Sequence, residues 1–460
     1  MEKIKNSVRN SAQLQAVIVN AVIMILFLLI MHPYLENQAD VVMQDLINGN
    51  YSLGVPSDSI LFSSFMLGDL MTGLGKLAPA LPWYMILHCA CSFAALTIIC
   101  GFVFRRTEGY EGKLLMTGVS IYMGYECYVV PGYLKTASVL SVAAVILLLS
   151  CMLRETSHRK ACMMLAVITG VLASLTAFFL FAAVFALSAV LSLIYIVITK
   201  PYGDKKELLQ SLAAGVAVAG CIYVLGAGLY YMDRLHYFRD PSLSASIAYR
   251  LGYEKCLSYG VPYFKFRDAE IEAANDAVYR LGALDTGLVD TNERLIYMAQ
   301  ARLYPNLYEI ANFFAFEPEH IAHVPLLYLW GFLAYLFMRY GGKKGRAAVA
   351  VSAAAGILTL FFMRQFLILG YFRMYTLEII PFVYFMMLWL NCIEYKPPAE
   401  AGDKRRMLMF AVDVSLAAYL AFVLFGDDFP VRKDMVHETE ILYVEDDSTA
   451  QTDVEAENQQ

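Results

Sequence analysis

Charged residues are scarce in this chain of 460 residues. Asp, Glu, Lys and Arg together make up 17% of it, whereas a soluble domain carries about 25%. Hydrophobic residues make up 59%, and the mean hydropathy is +0.54. A single soluble core of this length could not bury so much apolar side chain behind so few charges. A cytosolic enzyme and a disordered chain are therefore excluded, and the net charge of −6 gives no reason to expect nucleic acid as a partner.

The sequence also lacks the spacings of a metal or disulfide framework. Nine cysteines are present, but none has zinc-type spacing, and Cys89 and Cys91 are too close together for a CxxC motif. Most of them lie inside apolar runs, where cysteine acts as a small hydrophobic residue. The scattered carboxylates form no metal-ligand cluster either. We therefore expect neither a disulfide-stapled secreted module nor a cofactor, and a divalent metal is the one addition left open.

Long apolar runs are abundant instead. A helix needs about 20 apolar residues to cross the hydrocarbon core of a bilayer. The sequence therefore predicts an all-α, polytopic integral membrane protein with about eleven transmembrane helices. The predicted spans are residues 14–32, 83–104, 114–130, 136–153, 161–177, 179–198, 211–231, 324–340, 347–364, 374–392 and 407–425.

A further apolar run, 59–78, is ambiguous because Asp69 and Lys76 lie inside it. Cytoplasmic loops of membrane proteins are enriched in Lys and Arg. If 59–78 does not cross, the later basic loops, such as those with Arg105 and Lys160, all fall inside, whereas a crossing would put them outside. We therefore predict an interfacial or re-entrant helix on the outer face. The N-terminus is then inside and the C-terminus outside a bacterial cytoplasmic membrane.

This topology divides the chain into four regions. They are an N-terminal membrane module at 1–231, which includes the first outer loop and surface helices at 33–78, an extracytoplasmic helical layer at 232–323, C-terminal transmembrane helices at 324–425 and a tail at 426–460. The outer layer mixes aromatic and charged residues with helix-like patterning, which indicates a folded set of helices. The tail is rich in Asp and Glu, a composition typical of disorder.

A few charges lie within or beside the spans, where they are costly and often functional. Glu126, Arg364 and Glu378 fall near the outer ends of their spans, and Arg373 lies in the outer loop between the last two. One interpretation is an outward-facing cavity for the charged head group of a lipid. The other is structural, with the glutamates paired to Arg364 or Lys135 so that they hold helices together. The sequence leaves both open.

The first outer loop carries the acid that we favour as a catalytic base. Residues 38–48 predict an amphipathic helix on the membrane surface, which ends at Gly49. Asp40 lies near the start of this helix, soon after the first span and among apolar neighbours. A carboxylate at the edge of such a low-dielectric pocket suits general-base catalysis. Asp45 and Asp58 are more typical of a solvated face.

These features resemble the GT-C superfamily of membrane glycosyltransferases, which includes the protein O-mannosyltransferases and the lipid A aminoarabinose transferases. The shared features are an early Asp and two surface helices in the first outer loop, and a large outer domain after the seventh span. The chain is more closely similar to a group of polytopic membrane proteins from Gram-positive bacteria. The matching stretches are QADVVMQDLINGNYSLG (38–54), VPSDSILFSSFMLG (55–68), LPWYMIL (81–87), 257–290 and 370–381.

The resemblance implies a GT-C-like fold and a glycosyltransferase. Such an enzyme works at the lipid bilayer, where it moves a sugar from a polyprenyl-phosphate donor to an extracytoplasmic acceptor, either a cell-surface glycan or a protein. By this resemblance Asp40 is the catalytic base and Glu126 a possible second acid. The residues expected to bind the donor phosphate are Arg373, Arg364 and Lys135, and those expected to line the pocket are Asp58, Asp45, Glu378 and His88.

Two other functions stay open from the sequence. A polysaccharide or lipid transporter would place charges along a transmembrane path, whereas the charges here cluster toward one side. A catalytically inactive GT-C-like scaffold would explain two departures from the group. Where the group has paired acids, this chain has Ala39 and Asp40, and where the group has Asp-Pro-His, it has Ser57, Asp58 and Ser59.

The predicted topology can be tested by labelling a cysteine-free variant. A single cysteine at position 108 or 203 should react with a membrane-impermeant maleimide only after the cytoplasmic side is opened, because both positions fall in predicted inner loops. A cysteine at position 54, in the first outer loop, is the control and should react in intact cells. Reaction of positions 108 and 203 in intact cells would invert the topology.

Overall fold

The computed structural model of the chain describes residues 11–35, 38–49, 63–106, 110–153, 159–199 and 205–239, together with positions 56, 58, 60 and 350. Within these residues the secondary structure is helical throughout, with no β-strand. The all-α class is therefore confirmed for this part of the chain. The last four predicted spans, most of the predicted outer layer and the tail lie outside the described residues.

The described residues form nine α-helices and one π-helical segment. They are α1 (Ala12–Ile30), α2 (Gln38–Asn48), α3 (Phe65–Leu77), α4 (Trp83–Arg106), α5 (Tyr110–Gly124) with the π-helix Tyr125–Val129, α6 (Tyr133–Met152), α7 (Arg159–Thr176), α8 (Phe178–Thr199) and α9 (Lys205–Arg239). Local chemistry sets several boundaries. Ser11 and Ser64 cap α1 and α3, because their hydroxyls accept hydrogen bonds from backbone N–H groups of the first turn. Gly49 ends α2 with a φ of 82°, which glycine adopts readily.

Several of these helices have the length and composition of membrane spans. Five apolar stretches of the described part could cross a bilayer: Ala12–Ile30, Trp83–Arg105, Tyr133–Met152, Arg159–Thr176 and Leu208–Asp233. Each of the first seven predicted spans corresponds to a helix, with two differences. The third predicted span, 114–130, changes from α to π at Tyr125. The seventh, 211–231, lies within α9, which is 35 residues long.

Helix α6 lies at the centre of the described bundle. All of its residues except Leu134 are buried, and it packs against α4, α7, α8 and α9. Its sequence suits this position because it carries no charge after Lys135 and has many small side chains. The hydroxyls of Ser138 and Ser141 donate to carbonyls one turn back, at 2.9 and 2.6 Å, so that no partner outside the helix is needed.

Several helix ends meet at one end of the bundle, which we call the Asp40 end. The connection after α1 joins the end of the π-helix there, where Tyr34 N–H donates to Val129 O at 2.9 Å. The segment before α3 joins the end of α7 there, where Ser63 Oγ donates to Thr176 O at 2.7 Å. The sequence places all of these helix ends on the outer face.

Helix α3 does not run through the bundle. Its 13 residues extend over about 20 Å, which is shorter than the hydrocarbon core of about 30 Å. It begins at the Asp40 end, and the chain that follows it enters α4, whose first turn contacts Asp40 through Tyr84. Both ends of α3 therefore lie at the same end of the bundle, the arrangement expected for the run 59–78.

Helix α2 is more enclosed than the sequence predicts. It forms over the expected residues, but Asp40, Met43, Leu46 and Ile47 are buried, and the helix packs against α3 and α4. Its apolar side therefore meets protein, because α3 and α4 cover the side that the sequence assigns to the membrane surface.

Candidate functional site

Asp40 is held between two helices at the Asp40 end. Its side chain belongs to the first turn of α2 and is fully buried, with 0% exposure. Tyr84 OH, from the first turn of α4, donates to Asp40 Oδ1. Tyr133 N–H, at the start of α6, donates to the same oxygen at 3.0 Å. One carboxylate thus joins α2, α4 and α6.

The contact with Tyr133 makes Asp40 a cap for α6. The first N–H groups of a helix have no partner within it and carry a partial positive charge, so a carboxylate is favourable there. Gly132, the residue before α6, offers no side-chain cap of its own. A Cβ atom on Gly132 would lie 3.0 Å from Asp40 Oδ2, a tight contact. Glycine at this position therefore leaves room for the carboxylate of another helix.

A buried ion pair lies beside this cap. Lys135 Nζ is 2.9 Å from Glu126 Oε2 and also donates to Val130 O at 3.0 Å. Lys135 is in the first turn of α6 with 7% exposure, and Glu126 is in the π-helix with 1%. The structure therefore contains the pairing of Glu126 with Lys135 that the structural interpretation predicts. A lipid phosphate that binds Lys135 would have to compete with Glu126 for the ammonium.

The π-helix sets the position of Glu126. Val130 N–H donates to Tyr125 O at 3.3 Å, the i to i+5 bond of this helix type. Such segments are rare and frequent at functional sites, because the extra residue in the turn redirects the side chains that follow. All five residues of the segment are buried.

A polar stripe on α4 completes the cluster. Tyr84, His88 and Ser92 follow one another at intervals of four residues, so they lie on one face of the helix. His88 Nδ1 is 3.1 Å from Thr136 Oγ1, which is 3.3 Å from Ser92 Oγ. The His88 ring contacts Tyr84 edge to face, with centroids 4.4 Å apart. Within the described part His88 Nε2 is buried and has no hydrogen-bond partner.

The structure brings together four of the residues that the sequence singles out: Asp40, Glu126, Lys135 and His88 surround the first turn of α6. Asp45 and Asp58 are half-buried. The remaining candidates, Arg364, Arg373 and Glu378, lie outside the described residues. Within the described residues no group of His, Cys, Asp and Glu side chains could hold a metal ion.

Sequence reasoning missed three members of the cluster: Tyr84, Ser92 and Thr136. The four-residue spacing of Tyr84, His88 and Ser92 was a usable signal, because polar residues on one face of an apolar helix are buried only with partners. For Thr136 the sequence holds no comparable signal, since it is one of several hydroxyl residues in α6.

Sequence reasoning also missed Asp233, which caps α3. Its Oδ1 accepts from Ser64 Oγ at 2.7 Å and from Phe65 N–H at 3.2 Å, and its exposure is 3%. The sequence places residue 233 just beyond a span, where an acid resembles an ordinary boundary charge. The observed contact depends on α9 running beyond residue 231.

Replacing Asp233 with Asn should loosen the start of α3. The charge-assisted bonds to Ser64 and Phe65 would weaken, at a cost of about 1–2 kcal/mol. Amide hydrogen exchange of a peptide covering α3, in the full protein in nanodiscs, should accelerate by about five- to thirtyfold. Asp69→Asn is the matched control, because Asp69 is exposed on the same helix. Equal protection in Asp233→Asn and the parent would show that this cap does not stabilise α3.

Comparisons of the chain with models of protein families, with curated proteins and with solved structures gave no match.

Proposed function

We propose that this protein is a membrane glycosyltransferase that moves a sugar from a polyprenyl-phosphate donor to an extracytoplasmic acceptor, with Asp40 as general base. The observation that carries the proposal is the placement of Asp40. The early acid of the first loop is drawn into the end of the bundle, where Tyr84 and the start of α6 fix its carboxylate in one orientation. A carboxylate held in one orientation is suited to removing a proton from a hydroxyl that comes within hydrogen-bond reach.

The proposed reaction is a displacement at the anomeric carbon of the donor sugar. The acceptor hydroxyl oxygen attacks the anomeric carbon of the donor sugar and forms the new glycosidic bond. The bond from that carbon to the phosphate oxygen breaks, and the lipid phosphate leaves with the electron pair. The hydroxyl proton passes to the Asp40 carboxylate. Positive charge near the leaving phosphate stabilises the developing negative charge, a role that we propose for Lys135 and for the predicted candidates Arg364 and Arg373.

Burial of Asp40 sets a condition on this mechanism. With 0% exposure, its carboxylate meets an acceptor only if α2 or the side chains around it move when substrate binds. Closure and opening of this kind is common in enzymes that exclude water from the reaction. The helix α2 is short, with 11 residues.

A second function, an inactive GT-C-like scaffold, is favoured by the same contacts. Asp40 caps α6 and is fully buried, which is a structural task that needs no chemistry. A transporter receives less support. Four buried charged side chains of the described residues lie at the Asp40 end and do not follow a path through the bundle. They are Asp40, Glu126, Lys135 and Asp233.

The test is an assay of the purified full-length protein in nanodiscs with a panel of polyprenyl-phosphate sugars. Mass spectrometry should detect release of polyprenyl phosphate from one member of the panel when cell-envelope glycan fragments or envelope proteins are added as acceptors. Binding without turnover would support the scaffold. If the protein neither binds nor turns over any member of the panel, the glycosyltransferase proposal is overturned.

A further inference from the structure

A cleft opens at the end of the bundle opposite to the Asp40 end, which we call the Ser11 end. It lies where α1 begins, α4 ends and α5 begins, and its volume is about 390 Å³. This volume falls within the range of small-molecule sites, about 300–1,000 Å³. The polar side chains that line it belong to Ser11, Gln13, Gln15, Arg105 and Lys113.

The charge of this cleft is unbalanced. Two of its lining side chains are cations, Arg105 and Lys113, and none is an acid. In the part of the chain that the structure describes, neither cation forms an ion pair with a carboxylate. Two cations on one concave surface repel each other and attract an anion.

Local contacts hold both cations at the cleft. Lys113 Nζ donates one of its three hydrogens to Gln15 Oε1 at 3.0 Å. Arg105 Nε donates to Gly101 O of its own helix at 3.4 Å. That bond engages one of the five guanidinium N–H groups and leaves the planar fork, which matches the oxygens of a phosphate.

The start of α1 adds to the positive field. Ser11 caps the helix, and the first turn of α1 contains no acidic residue. The positive end of the helix dipole therefore faces the cleft, with no carboxylate in the first turn of α1. The dipole adds to the field of the two cations.

We propose that this cleft binds a phosphate group, carried either by the head group of an anionic lipid or by a free phosphate anion. Arg105 pairs with two phosphate oxygens, and Lys113 binds a third. The site is separate from the proposed catalytic cluster. From Tyr84 to Arg105 along α4 the distance is roughly 30 Å at 1.5 Å per residue. The sequence places the Ser11 end on the cytoplasmic side, where anionic lipid head groups are available.

Native mass spectrometry of the full-length protein tests this proposal. The protein is mixed with equal amounts of phosphatidylglycerol and phosphatidylcholine of the same chain length. The parent should retain phosphatidylglycerol preferentially, and Arg105→Gln/Lys113→Gln should reduce that retention by about five- to thirtyfold. Each single variant should give an intermediate loss, which keeps the test valid if the double variant folds poorly.

Two further measurements identify the source of the phosphate group and provide a matched control. Inorganic phosphate added at millimolar concentration should displace the lipid if the cleft recognises the phosphate group alone, and should leave it bound if the rest of the lipid contributes to binding. The matched control is Arg159→Gln/Lys160→Gln, which removes two cations at the start of α7, at the same end of the bundle but outside the cleft lining. Unchanged lipid retention in Arg105→Gln/Lys113→Gln would overturn the proposal. An equal loss in the control would also overturn it, because the attraction would then be general to this face.

Discussion

Replacing Asp40 with Asn should lower sugar transfer by at least about a hundredfold while donor binding persists. General-base catalysis contributes about 10²- to 10⁴-fold, and Asn lacks the basicity while keeping the shape. Its amide oxygen can still accept from Tyr84 OH and Tyr133 N–H, so the cap on α6 is largely kept. The measurement is the rate of polyprenyl-phosphate release with the donor that the panel identifies, together with the apparent affinity for that donor.

Two matched controls come from the same region of the chain. Asp45→Asn and Asp58→Asn remove half-buried acids and should leave transfer within a few-fold of the parent. If Asp40→Asn also stays within a few-fold, Asp40 is not the base.

A second variant separates catalysis from capping. Tyr84→Phe removes one hydrogen bond to Asp40 but keeps the carboxylate and the bond from Tyr133. If Asp40 is the base, transfer should fall less in Tyr84→Phe than in Asp40→Asn. If Asp40 has only a structural role, Asp40→Asn should lower the melting temperature, and any change in activity should follow the loss of folded protein.

The sequence predicts which segments are helical far better than where each helix lies. Helices α6 and α9 show the reason. Their most apolar windows have equal mean hydropathy, yet 94% of the α6 window and 11% of the α9 window is buried. In a membrane protein the lipid-facing side and the protein-facing side can be equally apolar, so an apolar run identifies a span without identifying its neighbours.

The contacts of the candidate site show the same limit. The amphipathic pattern and the early acid were enough to single out Asp40, and the loop Gly49 was enough to end α2. The partners of Asp40 were not predictable, because Tyr84 and Tyr133 are 44 and 93 residues away in sequence. The sequence left two partners open for the glutamates, Arg364 and Lys135. The structure pairs Glu126 with Lys135, which is only nine residues away in sequence.

Breaking the Glu126–Lys135 pair from either side should destabilise the protein strongly. Glu126→Gln leaves the Lys135 ammonium buried without its partner carboxylate. Lys135→Met leaves the Glu126 carboxylate buried without its partner ammonium. Removal of one partner of a buried ion pair costs about 3–5 kcal/mol, because the remaining charge keeps its desolvation penalty. The free energy of unfolding, measured by titrating SDS into mixed micelles, should fall by about that amount in each single variant.

The double variant should be more stable than either single variant, because neither buried charge remains. The sum of the free-energy losses in the two single variants should therefore exceed the loss in the double variant. Such non-additivity is the signature of direct coupling. Asp69→Asn/Lys76→Met supplies the control, since both residues are exposed on α3 and such changes are usually within about 0.5 kcal/mol. Additive losses would show that the pair is not coupled in the folded protein.

The same double variant separates the structural role of Lys135 from its proposed role in binding the donor phosphate. We expect it to keep α6 in place, because neither buried charge remains, while it removes the cation beside the proposed base. If Lys135 contacts the leaving phosphate, the double variant should be stable yet transfer sugar at least about tenfold more slowly, since charge stabilisation of a developing anion is worth several kcal/mol. Parent-like transfer in a stable double variant would restrict Lys135 to holding the π-helix against α6, and the phosphate would then have to be bound by other cations.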